Sequence, residues 1–197
     1  MPTVVIASPK GGAGKSTAAI ILGTELAHAG ADVVMLDCDP NHSLTLWADR
    51  GALPDRIKVL SNVTESDIVK TIKQYDTDGQ IVVVDLEGVA SRLVSRAISQ
   101  ADLVITPMRA TTLDATIGVR ALQLIAEEEE ALDRKIPHAV VFTMTKAIRS
   151  KQHSGIAESL AGQGVDLINP PLMERAAFSA LFEFGGNLRN MPAHGKM

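Results

Sequence analysis

The chain has 197 residues, 46% of them apolar, a formal net charge of −4 and one cysteine. That length suits one well-buried domain and is too short for two comfortable ones. The charge excludes attraction to nucleic acid by the whole-molecule field and leaves only a local basic patch for that purpose. Cys38 has no intramolecular disulfide partner, and no basic-then-apolar leader precedes the first strand-like run. Every apolar run is broken well short of the roughly 20 residues that span a bilayer. The expectation is a protein of a reducing cytoplasm with no membrane partner. Aromatic residues are scarce, so Val, Ile, Leu, Ala and Met must fill the core, as in a sheet covered by helices on both faces.

In chain order, "TVVIAS" reads as a first strand and runs into the glycine turn "SPKGGAGKST". A helix should start at the end of that turn, carry Ala19, Leu22 and Leu26 along one stripe, and stop at Gly30. "DVVMLD" is the second strand, followed by Asp39 and a short helix in "SLTLWADRG", where Trp47 reads as core rather than as a base-stacking residue. "SDIVKTIKQY" and "ASRLVSRAISQ" read as helices on either side of the strand "IVVVD", which ends in Asp85. "DLVITP" is the next strand. The helix "LDATIGVRALQLIAEEEEAL" should turn Leu113, Ile117, Leu122 and Ile125 to the sheet and leave Glu127 to Glu130 in solvent. "HAVVFTM" and the helix "HSGIAESLAGQ" follow. Residues 185–197 lack apolar periodicity and are expected to be loose; a fold of this kind usually closes with a helix, so a C-terminal helix missing from the chain stays open. Strands alternating with helices specify an α/β fold: a mostly parallel, twisted sheet with helices on both faces, in a single domain spanning 1–197.

The glycine turn places two lysines, Lys10 and Lys15, where like charges repel unless a polyanion lies between them. Backbone N–H groups of such a turn all point inward at phosphate oxygens, and the helix N-terminus adds a favourable dipole. Lys15 would reach β- and γ-phosphates while Ser16 ligates Mg²⁺. The dinucleotide pattern G-x-G-x-x-G fails because Thr17 occupies its third position. The strict G-x-x-x-x-G-K-[ST] pattern fails at Pro9. What remains is K-G-G-x-G-K-[ST]. Against it stands the bland alternative of a glycine turn with no ligand. Asp37, Asp39 and Asp85 all fall at strand ends near this turn, where carboxylates serve a metal or an attacking water, or merely cap a helix.

On these residues the turn resembles the deviant Walker A motif of the ParA/MinD family of P-loop ATPases. The likeness spans nearly the whole chain and is closest to the short ParF-like and VirC1-like branch, which lacks an N-terminal helix-turn-helix domain. It implies ATP and Mg²⁺ as cofactors, with Lys10, Gly11, Gly12, Ala13, Gly14, Lys15, Ser16 and Thr17 around the nucleotide. Lys15 would serve its own subunit, and Lys10 would cross a dimer interface to the nucleotide of the other. The D-x-D-P segment resembles the family's second motif: Asp39 would orient or activate the water and Asp37 would lie nearer the metal. Asn41 stands where Gln is common. Asp85 matches the Walker B aspartate that holds Mg²⁺ through a water, but Asp85-Leu86-Glu87-Gly88 replaces D-x-P-P, and Glu87 reads equally as a loop residue or a second acidic partner. "DLVITPMRATTLDA" and "PPLMERAAFSALFEFG" resemble the segments after Walker B and beside the base.

The resemblance further implies an ATP-dependent homodimer that binds nonspecific DNA on the nucleoid, with hydrolysis stimulated by a ParB-like adaptor protein. Lys146, Arg149 and Lys151, together with His153 and with Arg120 and Arg175 more remotely, are the candidate DNA contacts; an ordinary charged loop is the competing reading. A MinD-like membrane role would need a basic amphipathic C-terminal helix, which "NLRNMPAHGKM" does not provide. Reductases that share this loop need paired cysteines, and Cys38 is alone. Amide-transferring relatives remain open.

Overall fold

The computed structural model describes residues 2–51, 53–76, 79–88, 91–146, 148 and 150–190. Seven strands occur among them: β1 (Thr3–Ile6), β2 (Asp32–Cys38), β3 (Ile57–Leu60), β4 (Gln80–Leu86), β5 (Leu103–Arg109), β6 (His138–Thr143) and β7 (Asp166–Ile168). All pairings are parallel, in the order β3-β2-β4-β1-β5-β6-β7. The helices are α1 (Lys15–His28), α2 (Ser43–Arg50), α3 (Ile68–Tyr75), α4 (Arg92–Ile98), α5 (Thr112–Leu132), α6 (Lys151–Gly162) and α7 (Ala176–Phe184).

The period-2 alternation of the strands sorts the core into two layers. Val4, Ile6, Val33, Met35 and Val83 pack against α1, α2 and α7, while Val5, Val34, Leu36, Val82 and Val84 pack against α3 and α4. Beyond β5, Met108, Val140 and Phe142 meet α5 and α6. The order in which strands are added reverses around β1, which lies between β4 and β5, so the crevice outside the carboxyl ends of these strands is where a ligand belongs in such a sheet.

Several expectations shift in detail. In α1 Ala19 is buried but Leu22 and Leu26 are half-buried; the deepest stripe runs through Ile20, Gly23, Thr24 and Ala27. The cause is close approach: a Cβ on Gly23 would stand 2.8 Å from the Met35 Sδ, so the glycine lets α1 lie this near β2 with Met35 in its present rotamer. In α5 Leu113 is 65% exposed instead of facing the sheet, and Asp114, Gly118, Ala121 and Ile125 form the inner face. The helix is rotated because Asp114 is drawn inward by polar partners and Gly118 sits against Met108. Glu129, expected in solvent, accepts hydrogen bonds from the Ile136 N–H (2.7 Å) and the Lys135 ammonium (2.8 Å), which hold its carboxyl below the usual range.

The sequence reading missed β3, β7 and α7. The expected loose end is also not loose over 185–190. The Gly186 carbonyl accepts the Trp47 indole N–H at 2.8 Å, Asn187 is buried, and Arg189 forks onto Glu25 through two hydrogen bonds of 3.0 and 2.5 Å. Residues 191–197 lie outside the described residues. Trp47 itself is fully buried, as the core reading expects.

Candidate functional site

The loop from β1 to α1 is shaped by its glycines. Gly12 (φ 70°) and Gly14 (φ 91°) hold left-handed angles that side chains resist, and Gly14 is the N-cap of α1. Thr143 at the end of β6 donates its hydroxyl to the Ala13 carbonyl at 2.8 Å, fixing the loop from behind. The first turn of α1 carries no acidic residue, so its free N–H groups and positive dipole end face an open cleft of about 490 Å³. Gly11, Gly12, Gly14, Lys15, Ser16 and Thr17 form one wall of that cleft; Asp39, Asn41, Glu87 and Gly88 form the other. A second cavity of about 180 Å³ adjoins it, sharing Gly14, Thr17, Met144 and Phe182, with Leu172 and Phe178 as apolar walls.

Lys15 is 5% exposed and donates to the Lys10 carbonyl at 3.3 Å. Burial lowers its pKa, opposed by Asp85, Asp39 and Glu87. An ammonium held this dry binds an incoming anion strongly, because the water it would have to shed is already gone.

Parallel pairing sets Asp37 of β2 directly beside Asp85 of β4. They are 1% and 0% exposed, and Asp37 Oδ1 and both Asp85 carboxylate oxygens have no hydrogen-bond partner of good geometry. The other Asp37 oxygen accepts from the Thr45 N–H (2.8 Å) and hydroxyl (2.7 Å), so Asp37 also caps α2. Burial pushes the Asp85 carboxyl up to about 7, with Asp37 and Asp39 adding repulsion while the nearby Ser16 hydroxyl and Lys15 pull the other way. Two buried carboxylates with orphaned oxygens are costly unless a cation joins them. Among the described residues no group of three or more His, Cys, Asp or Glu forms a complete metal site. One or two carboxylates, a serine and open space suit Mg²⁺, which keeps several waters and takes the rest of its shell from phosphate oxygens.

Asp39 sits higher on the cleft wall, half-buried, its Oδ1 accepting from the Asn41 N–H and side-chain amide, both at 2.8 Å. Gly88 presses on the loop: a Cβ there would stand 2.8 Å from the Gly11 nitrogen. Lys10 turns away from Lys15 and pairs with the Asp114 carboxylate, whose side chain is 6% exposed. Thr111 caps α5 and donates its hydroxyl to the other Asp114 oxygen at 2.6 Å, and Arg109, at the end of β5, reaches the Gly12 carbonyl at 3.4 Å.

The structure thus gathers Lys10 through Thr17, Asp37, Asp39 and Asp85 at one sheet edge. The cationic cluster is less unified. Lys146 and Lys151 are exposed at the entry to α6, while Arg149 lies outside the described residues. His153 is buried against Phe142, ring centroids 4.8 Å apart, and does not join them. Arg175 lines the smaller cavity and Arg120 a different one, beside Ser8 and Pro9.

The family model for VirC1 protein matches residues 1–194. The chain belongs to the VirC1 family. It is similar to protein ParA of Rhizobium radiobacter, 69% identical over 192 residues that cover 97% of this chain and 86% of that protein. Among solved structures, apo McdA of Cyanothece superposes with a TM-score of 0.78 at 20% identity, covering 96% of this chain and 92% of that one. A plasmid partition protein of Borrelia burgdorferi bound to AMPPNP gives 0.73 at 21%, covering 96% and 92%. At these identities the structural likeness speaks for the fold alone, that of the P-loop ATPases. The motif resemblance holds at this level: the VirC1-family chain is of the ParA type within the ParA/MinD ATPases. Two site residues of this VirC1-family chain escaped the sequence reading. Asp114 was signalled by the T-x-x-D capping pattern of "TTLD". Arg109 carried no signal.

Proposed function

We propose that the chain binds ATP with Mg²⁺ in this cleft and hydrolyses it to ADP and phosphate, cycling between monomer and ATP-bound homodimer. The observation that carries the reading is the pair of buried, in-register carboxylates with orphaned oxygens, Asp37 and Asp85, below a glycine loop that opens a helix. Mg²⁺ would be held by Ser16 with Asp85 and Asp37 close by, and when bound it supplies charge neutralisation to the β- and γ-phosphates. The loop N–H groups and Lys15 cradle the phosphates. The base fills the smaller cavity between Phe178, Leu172 and Phe182. Asp39 orients a water whose oxygen forms a bond to the γ-phosphorus as the bond from that phosphorus to the β–γ bridging oxygen breaks.

Lys10, held in place by Asp114, is the switch element. In the dimer the partner subunit's Lys10 reaches the phosphates and stabilises their developing charge, as an arginine finger does. The dimer binds nonspecific DNA in the bacterial cytoplasm through Lys146, Arg149 and Lys151, and a ParB-like adaptor stimulates hydrolysis and release. The relative named ParA supports this reading by family. The test is ATP binding with and without Mg²⁺ for the parent chain and for Lys15→Ala. Metal-independent binding, or equal binding by Lys15→Ala, rejects the site.

A further inference from the structure

We propose that Arg109 is the stand-in partner of Asp114: when Lys10 leaves for the second subunit, the Arg109 guanidinium takes over the Asp114 carboxylate, making Arg109 a positioning residue for Lys10. This rests on the reading that Lys10 crosses to the partner's nucleotide. Asp114 is held in the monomer by two groups, the Lys10 ammonium on Oδ1 and the Thr111 hydroxyl on Oδ2. Its side chain is 6% exposed, so losing Lys10 would strand a buried carboxylate on a single hydroxyl, an arrangement proteins avoid. Left alone, that penalty would pin Lys10 to its own subunit.

Arg109 is placed to remove the penalty. It ends β5, two residues before the Thr111 cap, and its own bond to the Gly12 carbonyl is long, at 3.4 Å. The residue is exposed, so its head turns freely, and its charge already favours the ionised form of Asp114. A planar guanidinium fork matches a carboxylate better than an ammonium does. With Lys10 docked, Asp114 already has its cation, and Arg109 acts on it only through its charge. With Lys10 gone, one cation faces one anion and the Lys10–Arg109 repulsion is relieved. Both changes favour release.

The test is sedimentation velocity of the full chain with Mg²⁺ and AMPPNP, beside nucleotide titration of the monomer. Arg109→Gln is expected to weaken nucleotide-driven self-association by about ten-fold, the scale of coupling between neighbouring charged groups. Monomer affinity for nucleotide, which Arg109 touches only through its long bond to the Gly12 carbonyl, should fall by less than self-association does. Arg109→Lys should recover part of the loss. Adding Asp114→Asn to Arg109→Gln should recover most of it, because a neutral amide needs no replacement cation. The proposal is overturned if Arg109→Gln associates like the parent, if Asp114→Asn brings no recovery, or if nucleotide affinity falls in step with association, since Arg109 would then only brace the Gly12 carbonyl. Lys10→Ala, run alongside, separates the two claims. Undiminished association by Lys10→Ala rejects the cross-subunit reading, whereas a defect there with a normal Arg109→Gln rejects only the hand-over.

Discussion

Asp85 concentrates the tension of the site in one residue. In the protein without nucleotide or metal, burial lifts its carboxyl to about 7, so the folded chain keeps a proton that the unfolded chain has already released. The contribution of this group to stability is therefore greatest below the ordinary carboxylate range and is lost as pH rises towards 7. Asp85→Asn should raise the stability at pH 8 by on the order of a few kcal/mol, seen as a higher melting temperature, and change it little at pH 4. Differential scanning calorimetry at the two pH values checks this; equal effects would contradict it. The same substitution should abolish the dependence of nucleotide affinity on Mg²⁺. Lys10→Ala should leave monomeric nucleotide binding intact and eliminate the ATP-dependent dimer, read by light scattering.

Thr45 shows how an element carries the chemistry of its neighbours. Its N–H and hydroxyl bind one Asp37 oxygen and leave the other buried without a partner, so the start of α2 sets which lone pairs remain for a cation. Thr45→Val should lower stability by about 1 kcal/mol, as the loss of a capping contact does, and raise the Mg²⁺ concentration needed for nucleotide binding. Thr45→Ser should restore both. A magnesium titration of each variant decides the matter.

The five strands read from the sequence were legible because Val, Ile and Leu alternate between two covered faces and each run ends in a turn or an acidic residue. β3 and β7 are the sheet edges, short and partly exposed, so their apolar signal is thin. The phase of α5 was not legible, since its inner face is set by a glycine and a buried aspartate rather than by large apolar residues. The nucleotide loop and the three strand-end aspartates could be read because spacing along the chain fixes them. The partner of Lys10 could not, because Asp114 meets it only through the β1–β5 pairing, which no local pattern encodes.

For the whole molecule, net charge and local charge point in opposite directions. At −4 the chain repels DNA at long range, so any binding must come from the short-range patch around Lys146 and Lys151 and must be steeply salt-sensitive. Lys146→Ala together with Lys151→Ala should reduce the slope of log affinity against log salt by about two units, without altering ATP binding. Fluorescence anisotropy with a random duplex across a salt series measures the slope. An unchanged slope removes these lysines from the interface.

The meeting of α2 and α7 has a mechanical consequence. A methyl on Gly51 would stand 2.9 Å from the Gly186 nitrogen, and one on Gly185 would stand 2.6 Å from the Gly51 nitrogen, so backbone lies on backbone with no compliant side chain between. One arm of this joint begins beside the Asp39 turn, and the other carries Phe178 and Phe182 into the smaller cavity. The aromatic arm and the carboxylate arm are thus joined at this hinge with almost no slack between them, like two blades sharing a rivet.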